Sequence, residues 1–316
     1  MTLYLDFEFL ENFLLSNDES ELYVRLKSFI KDSKNELVLN FDPLDYYQDP
    51  EKQIIVRHIA QRLNAKLELN FVSKNIESLA EKANPCSLFL SDLLDQDIQY
   101  YGYVQTKSYN YQAVEKILFS DPLPITSQYK NWDFLQTYKV PCNAIVISDN
   151  YLFTNDVGHE NLKSILSNLL PEKLKITFDL TIIGYDPKKQ YIQIQKTYQE
   201  ISAFLKVTFN YNINLTIIRE DSHERAIYSN LAKFSTHKGF SLFNNSRIKS
   251  KDEMTLSYTP VGAKTLSGTS MESFSIEIEK LKKIARVQRM TDRELGSKQN
   301  RLFDIKITHQ PHHNRS

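Results

Sequence analysis

Three groups of residues in this chain have the types and spacing to do chemistry. The first is His223-x-Arg225-x4-Asn230, in the stretch HERAIYSN, with Gly239-Phe240 following. Side chains two apart share a face of an extended strand, so His223 and Arg225 would meet a ligand together. Imidazole can act as nucleophile or general acid/base, and a guanidinium fork matches phosphate oxygens. That pairing points to phosphodiester chemistry or phosphate binding. The second group is acidic. Asp6, Asp92 and Asp149 close the strand-like runs LYLD, SLFLSD and AIVISD, and Glu8 follows two residues after Asp6. Carboxylates at the carboxyl ends of parallel strands converge where α/β sheets bind ligands, and three there could hold Mg2+ or Mn2+. Asp also suits turns and helix N-caps, the simpler reading of all three. The third group is basic. Arg247, Lys249 and Lys251 alternate, and Lys282, Arg286, Arg289 and Arg293 fall on one face of a helix. Such arrays bind phosphate backbones.

The elements that must position these groups are legible from periodicity. LYLDF (3–7), ELVLNF (36–41), KLELNFV (66–72) and SLFLSD (87–92) read as strands. Helices are expected at ELYVRLKSFIKDS, at 53–63 and near 75–83. This β-α-β-α-β order favours a parallel or mostly parallel sheet. Residues 93–140 read as a hairpin, a short helix at 111–118 and a connection. The pattern then restarts with AIVIS (144–148), a helix at 161–170, a strand at 175–184, a helix at 191–207 and a strand at 214–218. HERAIYSN and GFSLFN read as paired strands around a polar turn, and 272–290 as a helix. The expected fold is α/β in two lobes, each a mostly parallel or mixed sheet flanked by helices. One spans 1–142 and the other 143–316.

Bulk composition sets the limits. No apolar run approaches the roughly 20 residues that cross a bilayer, and no basic leader precedes the first strand, so a cytoplasmic protein with no membrane partner is expected. Cys86 and Cys142 are far apart and read as buried thiols rather than a disulfide or metal pair. Residues 1–160 hold 14 Lys/Arg against 24 Asp/Glu, and residues 161–316 hold 25 against 15. The net charges of −10 and +10 make the second half the one to meet a polyanion. Alternatively, the halves neutralise each other across an interface. There is no P-loop, no strand-borne GxGxxG, no zinc-spaced Cys/His set and no GxSxG elbow. A nucleotide-driven motor, a dinucleotide dehydrogenase and an α/β-hydrolase are therefore disfavoured.

Residues 144–243, with HxRx4N and the later Gly239, Asn244 and Asn245, resemble the phospholipase D-like superfamily, whose motif is H-x-K-x4-D with a G-S-x-N-like element downstream. The resemblance implies that His223 is the nucleophile, that Arg225 replaces the phosphate-binding lysine, and that Asn230 stands where an aspartate would be. Asparagine supplies no negative charge to hold an imidazolium. Catalytic members use two motifs, from one chain or a dimer, and a single copy is present here. Single-motif HxR forms occur in non-catalytic modules such as the C-terminal domain of MIT-domain proteins, which HERAIYSN also resembles. The acidic strand ends of the first half resemble those of PIN-like nucleases. Together these imply a nucleic-acid-associated protein, DNA or RNA undetermined, of a bacterial defence or mobile-element type. As a nuclease it would work through His223 with no cofactor, or through Asp6, Asp92 and Asp149 with Mg2+ or Mn2+. The other expectation is a non-catalytic module that binds a protein partner, a second copy or a small anion.

Overall fold

The computed structural model describes all residues except 17, 42–47, 49, 52, 55–56, 58–60, 62–65, 70–74, 96, 127, 154–155, 186–190, 246, 249–253, 266–267, 290, 292 and 306–316. Lys249, Lys251 and most of the expected helix at 53–63 fall outside the described residues.

The chain begins with β1 (Thr2–Asp6), in which every residue is buried. Asp6 ends the strand because its side chain caps α1 (Phe7–Leu15), accepting from the Phe9 amide at 2.7 Å. Glu8 is thereby placed in the first turn of a helix and not on a continuing strand. Ser20 caps α2 (Glu21–Ile30) in the same way. Then come β2 (Glu36–Phe41), β3 (Lys66–Leu69), α3 (Ile76–Lys82), β4 (Ser87–Leu90) and β5 (Val104–Thr106). They form an all-parallel five-stranded sheet in the order β3-β2-β1-β4-β5. Among the described residues, the hairpin expected after residue 93 is reduced to one antiparallel bridge between Lys107 and Asn110. A 3-10 turn at Ile98–Tyr101 carries the chain back, so β5 adds parallel to β4.

After α4 (Glu115–Leu118), β6 (Asp121–Ile125) leaves this sheet for a second one. The second sheet contains β7 (Ala144–Ser148), β8 (Phe178–Gly184) and β9 (Ile213–Arg219), with α5 (Asp156–Leu169) and α6 (Tyr191–Thr208) as crossovers. β10 (Ala226–Ser229) and β11 (Ala232–Thr236) follow. A two-stranded ribbon comprises β12 (Phe243–Asn244) and β13 (Arg247–Ile248). Next are β14 (Met254–Pro260) and a second ribbon, β15 (Lys264–Thr265) with β16 (Gly268–Thr269). The chain continues into α7 (Ser270–Gln288) and β17 (Glu294–Gly296). The eight-stranded order is β17-β9-β8-β7-β10-β11-β14-β6, parallel across β7, β8 and β9 and antiparallel elsewhere. β10 pairs with β7 and β11, so HERAIYSN and GFSLFN are not partners. Phe243–Asn244 pairs with Arg247–Ile248 instead. The molecule is α/β, with one parallel and one mixed sheet flanked by helices.

The expected boundary at 142/143 falls inside shared structure. β6 is the edge strand of the second sheet, and Trp132 and Leu135 pack in that sheet's core. A second cluster joins Leu3 and Leu5 to Val146, Ile183 and Tyr228 through Phe274, Ile278 and Leu281 of α7. Each such fully buried side chain contributes about 1.5–3 kcal/mol. α7 is amphipathic. Ile278, Leu281 and Ala285 enter the core, and Lys282 and Arg286 lie along the flank of that face.

Candidate functional site

At the carboxyl end of β7, Asp149 is fully buried. One carboxylate oxygen accepts from the Tyr151 amide at 2.8 Å and the other from the Phe240 amide. Gly239 permits that second bond. Its φ is +79°, and a Cβ there would lie 2.7 Å from the Tyr151 ring and 2.9 Å from both Asp149 oxygens. Burial pushes the Asp149 carboxyl above its ordinary value, while its two amide donors and the nearby Arg225 charge pull it back. A carboxyl with a raised folded-state pKa binds its proton more readily folded than unfolded. Its stabilising contribution is complete at low pH and is lost as pH rises through the raised value. We therefore expect the difference in urea midpoint between wild type and Asp149→Asn to fall as pH increases above 3.8, the ordinary aspartate value. A difference that is flat or grows with pH contradicts this account.

Arg225 lies beside Asp149, its guanidinium 5.1 Å over the Tyr151 ring and donating to the His237 carbonyl. His223 and Arg225 precede β10 and are not on a strand, so period-two geometry does not set their relation. Ser148 holds this approach through the Ser222 hydroxyl at 2.6 Å and the Glu224 carbonyl at 3.1 Å. His223 is exposed and has no hydrogen-bond or ion-pair partner among the described residues. Asn230 does not join them. It lies beyond the other end of β10 and is fully buried. Its carbonyl oxygen accepts from the Asn143 and Ala144 amides, both at 3.0 Å. Its amide donates to the Pro85 carbonyl and to Asn143 Oδ1, both at 2.8 Å. Asn230 thus stitches the approach to β4 to the start of β7.

The acidic residues separate. Asp6 and Asp92 both sit where β1 and β4 diverge to opposite sides of the sheet, the position at which open α/β sheets bind ligands. Asp149 belongs to the other sheet. Asp6 accepts from Phe9, from the Ser91 hydroxyl and from the Leu93 amide. Asp92 accepts from Asn12 at 3.0 Å, from the Ser108 amide at 2.7 Å and from the Ser108 hydroxyl. Every oxygen of these two carboxylates already has a protein donor. Among the described residues no group of three or more His, Cys, Asp or Glu is placed to hold a metal ion. As they stand, Asp6, Asp92 and Asp149 do not form one ligand set.

The basic residues come together in part. Lys282, Arg286 and Arg289 line a cleft of about 1090 Å³, joined by Lys298, Arg301 and Lys175. The same cleft is also lined by Glu36, Glu77, Glu81, Asp179, Asp304, Lys66 and Lys82. Arg301 is held by Asp179 at 3.1 Å, Arg289 lies 3.9 Å from Glu294, and Lys282 lies 4.0 Å from Glu279. Arg286 and Lys298 are exposed, with no ion pair among the described residues. Arg293 turns away to Glu220 at 3.5 Å, and Arg247 is exposed on the β12–β13 ribbon. Sequence periodicity found the α7 stripe but not Lys175, Lys298 and Arg301, which only the fold brings to it. The His223–Arg225 pair does not line this cleft.

Cys86 and Cys142 are buried free thiols, each pushed up to about 12 by burial. Tyr103 is buried and donates to the Ala80 and Ala83 carbonyls, and Trp132 donates to Asn161 at 2.9 Å. No helix among the described residues is long and apolar enough to cross a membrane. No protein-family model matches the chain, and no curated protein matches it.

Proposed function

We propose that this chain binds nucleic acid through its phosphodiester backbone, in the cleft lined by the basic face of α7. The observation that carries this reading is the convergence of Lys282, Arg286, Arg289 and Lys298 on the lining of one open cleft of about 1090 Å³. Cations that no carboxylate neutralises on folding are available to displace condensed counterions from phosphates. Arg286 and Lys298 meet that condition. The test is binding of labelled single- and double-stranded DNA and RNA across a salt titration. Affinity falling steeply and linearly on a log–log scale is expected. Salt-independent binding, or none at low salt, contradicts the proposal. Cleavage is read in the same mixtures with Mg2+, Mn2+ or EDTA beside a His223→Ala variant. Turnover lost in that variant but surviving EDTA assigns phosphodiester chemistry to His223.

A second reading makes the His223–Arg225 edge a non-catalytic module for an anionic protein partner or small ligand. It is favoured by Asn230, whose four hydrogen bonds are structural and leave His223 without a polar support of that kind. In this reading Arg225→Ala loses affinity for the partner, and no turnover appears under any condition.

A further inference from the structure

We propose that Glu294 is a buried proton acceptor coupled to the cleft. When a phosphate seats on Arg289 and Lys298, Glu294 takes a proton from solvent, so backbone binding strengthens as the solution is acidified. This rests on the proposal that the cleft binds nucleic acid.

The position of β17 sets the arrangement. Glu294 pairs across the ladder with Ile218, so the two side chains lie on the same face of the sheet. Ile218 belongs to the core cluster that holds Ile278, Leu281 and Ala285 of α7. Glu294 is thereby turned toward α7, with its side chain only 1% exposed. Oε1 lies 3.9 Å from Arg289 Nε, and Oε2 has no hydrogen-bond partner among the described residues. Arg289 has a second tether, since its guanidinium donates to the Lys298 carbonyl. Arg289 and Lys298 line the cleft, and Glu294 does not. A buried carboxylate thus shares its two counter-charges with the cleft. The other charged groups around it are engaged elsewhere. Glu220, at the end of β9, accepts from Gln288 at 2.6 Å and from Arg293 at 3.5 Å. Arg219 lies over the Tyr185 ring, and Tyr198 of α6 lies against Gly296.

Burial pushes the Glu294 carboxyl above its ordinary value of 4.5, and the Arg289 and Lys298 charges pull it back. A phosphate on those cations competes with the carboxylate for them. Protonation forms an O–H bond on one carboxylate oxygen, with the proton supplied by the buffer, and removes the competing charge. Arg289 stays in place through the Lys298 carbonyl. Linkage is reciprocal, so a proton that strengthens phosphate binding is itself held more tightly in the complex. Affinity therefore rises as pH falls toward the raised Glu294 value and is lowest well above it.

The experiment measures anisotropy of labelled oligothymidine at fixed low salt, because thymine carries no group that titrates in the range used. Wild type is expected to bind about 5-fold more tightly at about pH 5 than at about pH 7.5. Glu294→Gln supplies the uncharged isostere. It should bind at both pH values within about twofold of wild type at the lower one. The cleft carboxylates Glu36, Glu77, Glu81, Asp179 and Asp304 are present in both proteins, so their titration cancels in the comparison. Calorimetry in two buffers of different ionisation enthalpy reads the proton directly. Wild type should take up protons on binding, and Glu294→Gln should take up fewer. Equal pH dependence in the two proteins overturns the inference, as does binding by wild type with no proton uptake. Absence of binding at every pH has a different meaning. It removes the nucleic-acid reading itself, and the inference with it.

Discussion

A chain carrying Arg286→Glu and Lys298→Glu should bind a single-stranded oligonucleotide on the order of 100-fold more weakly than wild type at about 0.1 M salt. Its log–log salt slope should be shallower by about 1.4, because each phosphate contact on a single strand contributes roughly 0.7. These two cations are chosen because neither makes an ion pair among the described residues. Lys282, Arg289 and Arg301 each have a carboxylate within 4.0 Å, so reversing them would disturb packing as well as binding. Arg286 is exposed, so its reversal alone should leave the urea midpoint nearly unchanged, whereas reversal of Lys298, whose charge favours the ionised Glu294 carboxyl, should lower it slightly. Arg247→Glu, outside the cleft, is the control and should cost less than about threefold. Equal losses for the cleft pair and for Arg247 would mean diffuse attraction to the basic half of the chain, with no site in the cleft.

Asn230→Asp should destabilise the protein by about 2–4 kcal/mol and create no phosphodiesterase activity. The substitution installs the acid of the H-x-K-x4-D motif that this stretch resembles, so a position in the chemistry predicts a gain. The hydrogen bonds predict a loss. A carboxylate can still accept from the Asn143 and Ala144 amides, but it cannot donate to the Pro85 carbonyl or to Asn143 Oδ1. It would instead face those two oxygens as a buried charge, which is costly. The readout is a lower urea midpoint at unchanged m, with the loss increasing as pH rises and the new carboxyl ionises. A stable variant that cleaves a phosphodiester would place Asn230 in the chemistry.

The strands and helices with strong periodicity were legible in the chain: β1, β2, β4, β7, β8, β9, α2, α6 and α7. Burial on both faces makes parallel strands into short apolar runs, which their length and β-branched content separate from buried helices. β6 was not legible, because DPLPI contains two prolines that argue against a strand. They are tolerated because β6 is an edge, bonded only to β14. α1 was missed because Asp6 looks like the end of a run when it is also the cap of a helix. The site was legible by composition and not by place. The Lys282–Arg286–Arg289 face follows from helical spacing alone. By contrast, the separation of Asp149 from Asp6 and Asp92, and of Asn230 from His223, depends on which sheet each strand joins. Strand order is a long-range property that local spacing does not encode.

The path of β6 also has a consequence during synthesis. Ile125 must wait for Met254, about 130 residues later, before its strand has any partner. At a translation rate of roughly 5–20 residues per second, this proline-bearing segment stays unpaired for on the order of 10 s. Its two prolines deny other nascent chains the backbone donors they would need to pair with it. The feature that hid the strand from periodicity also guards it on the ribosome.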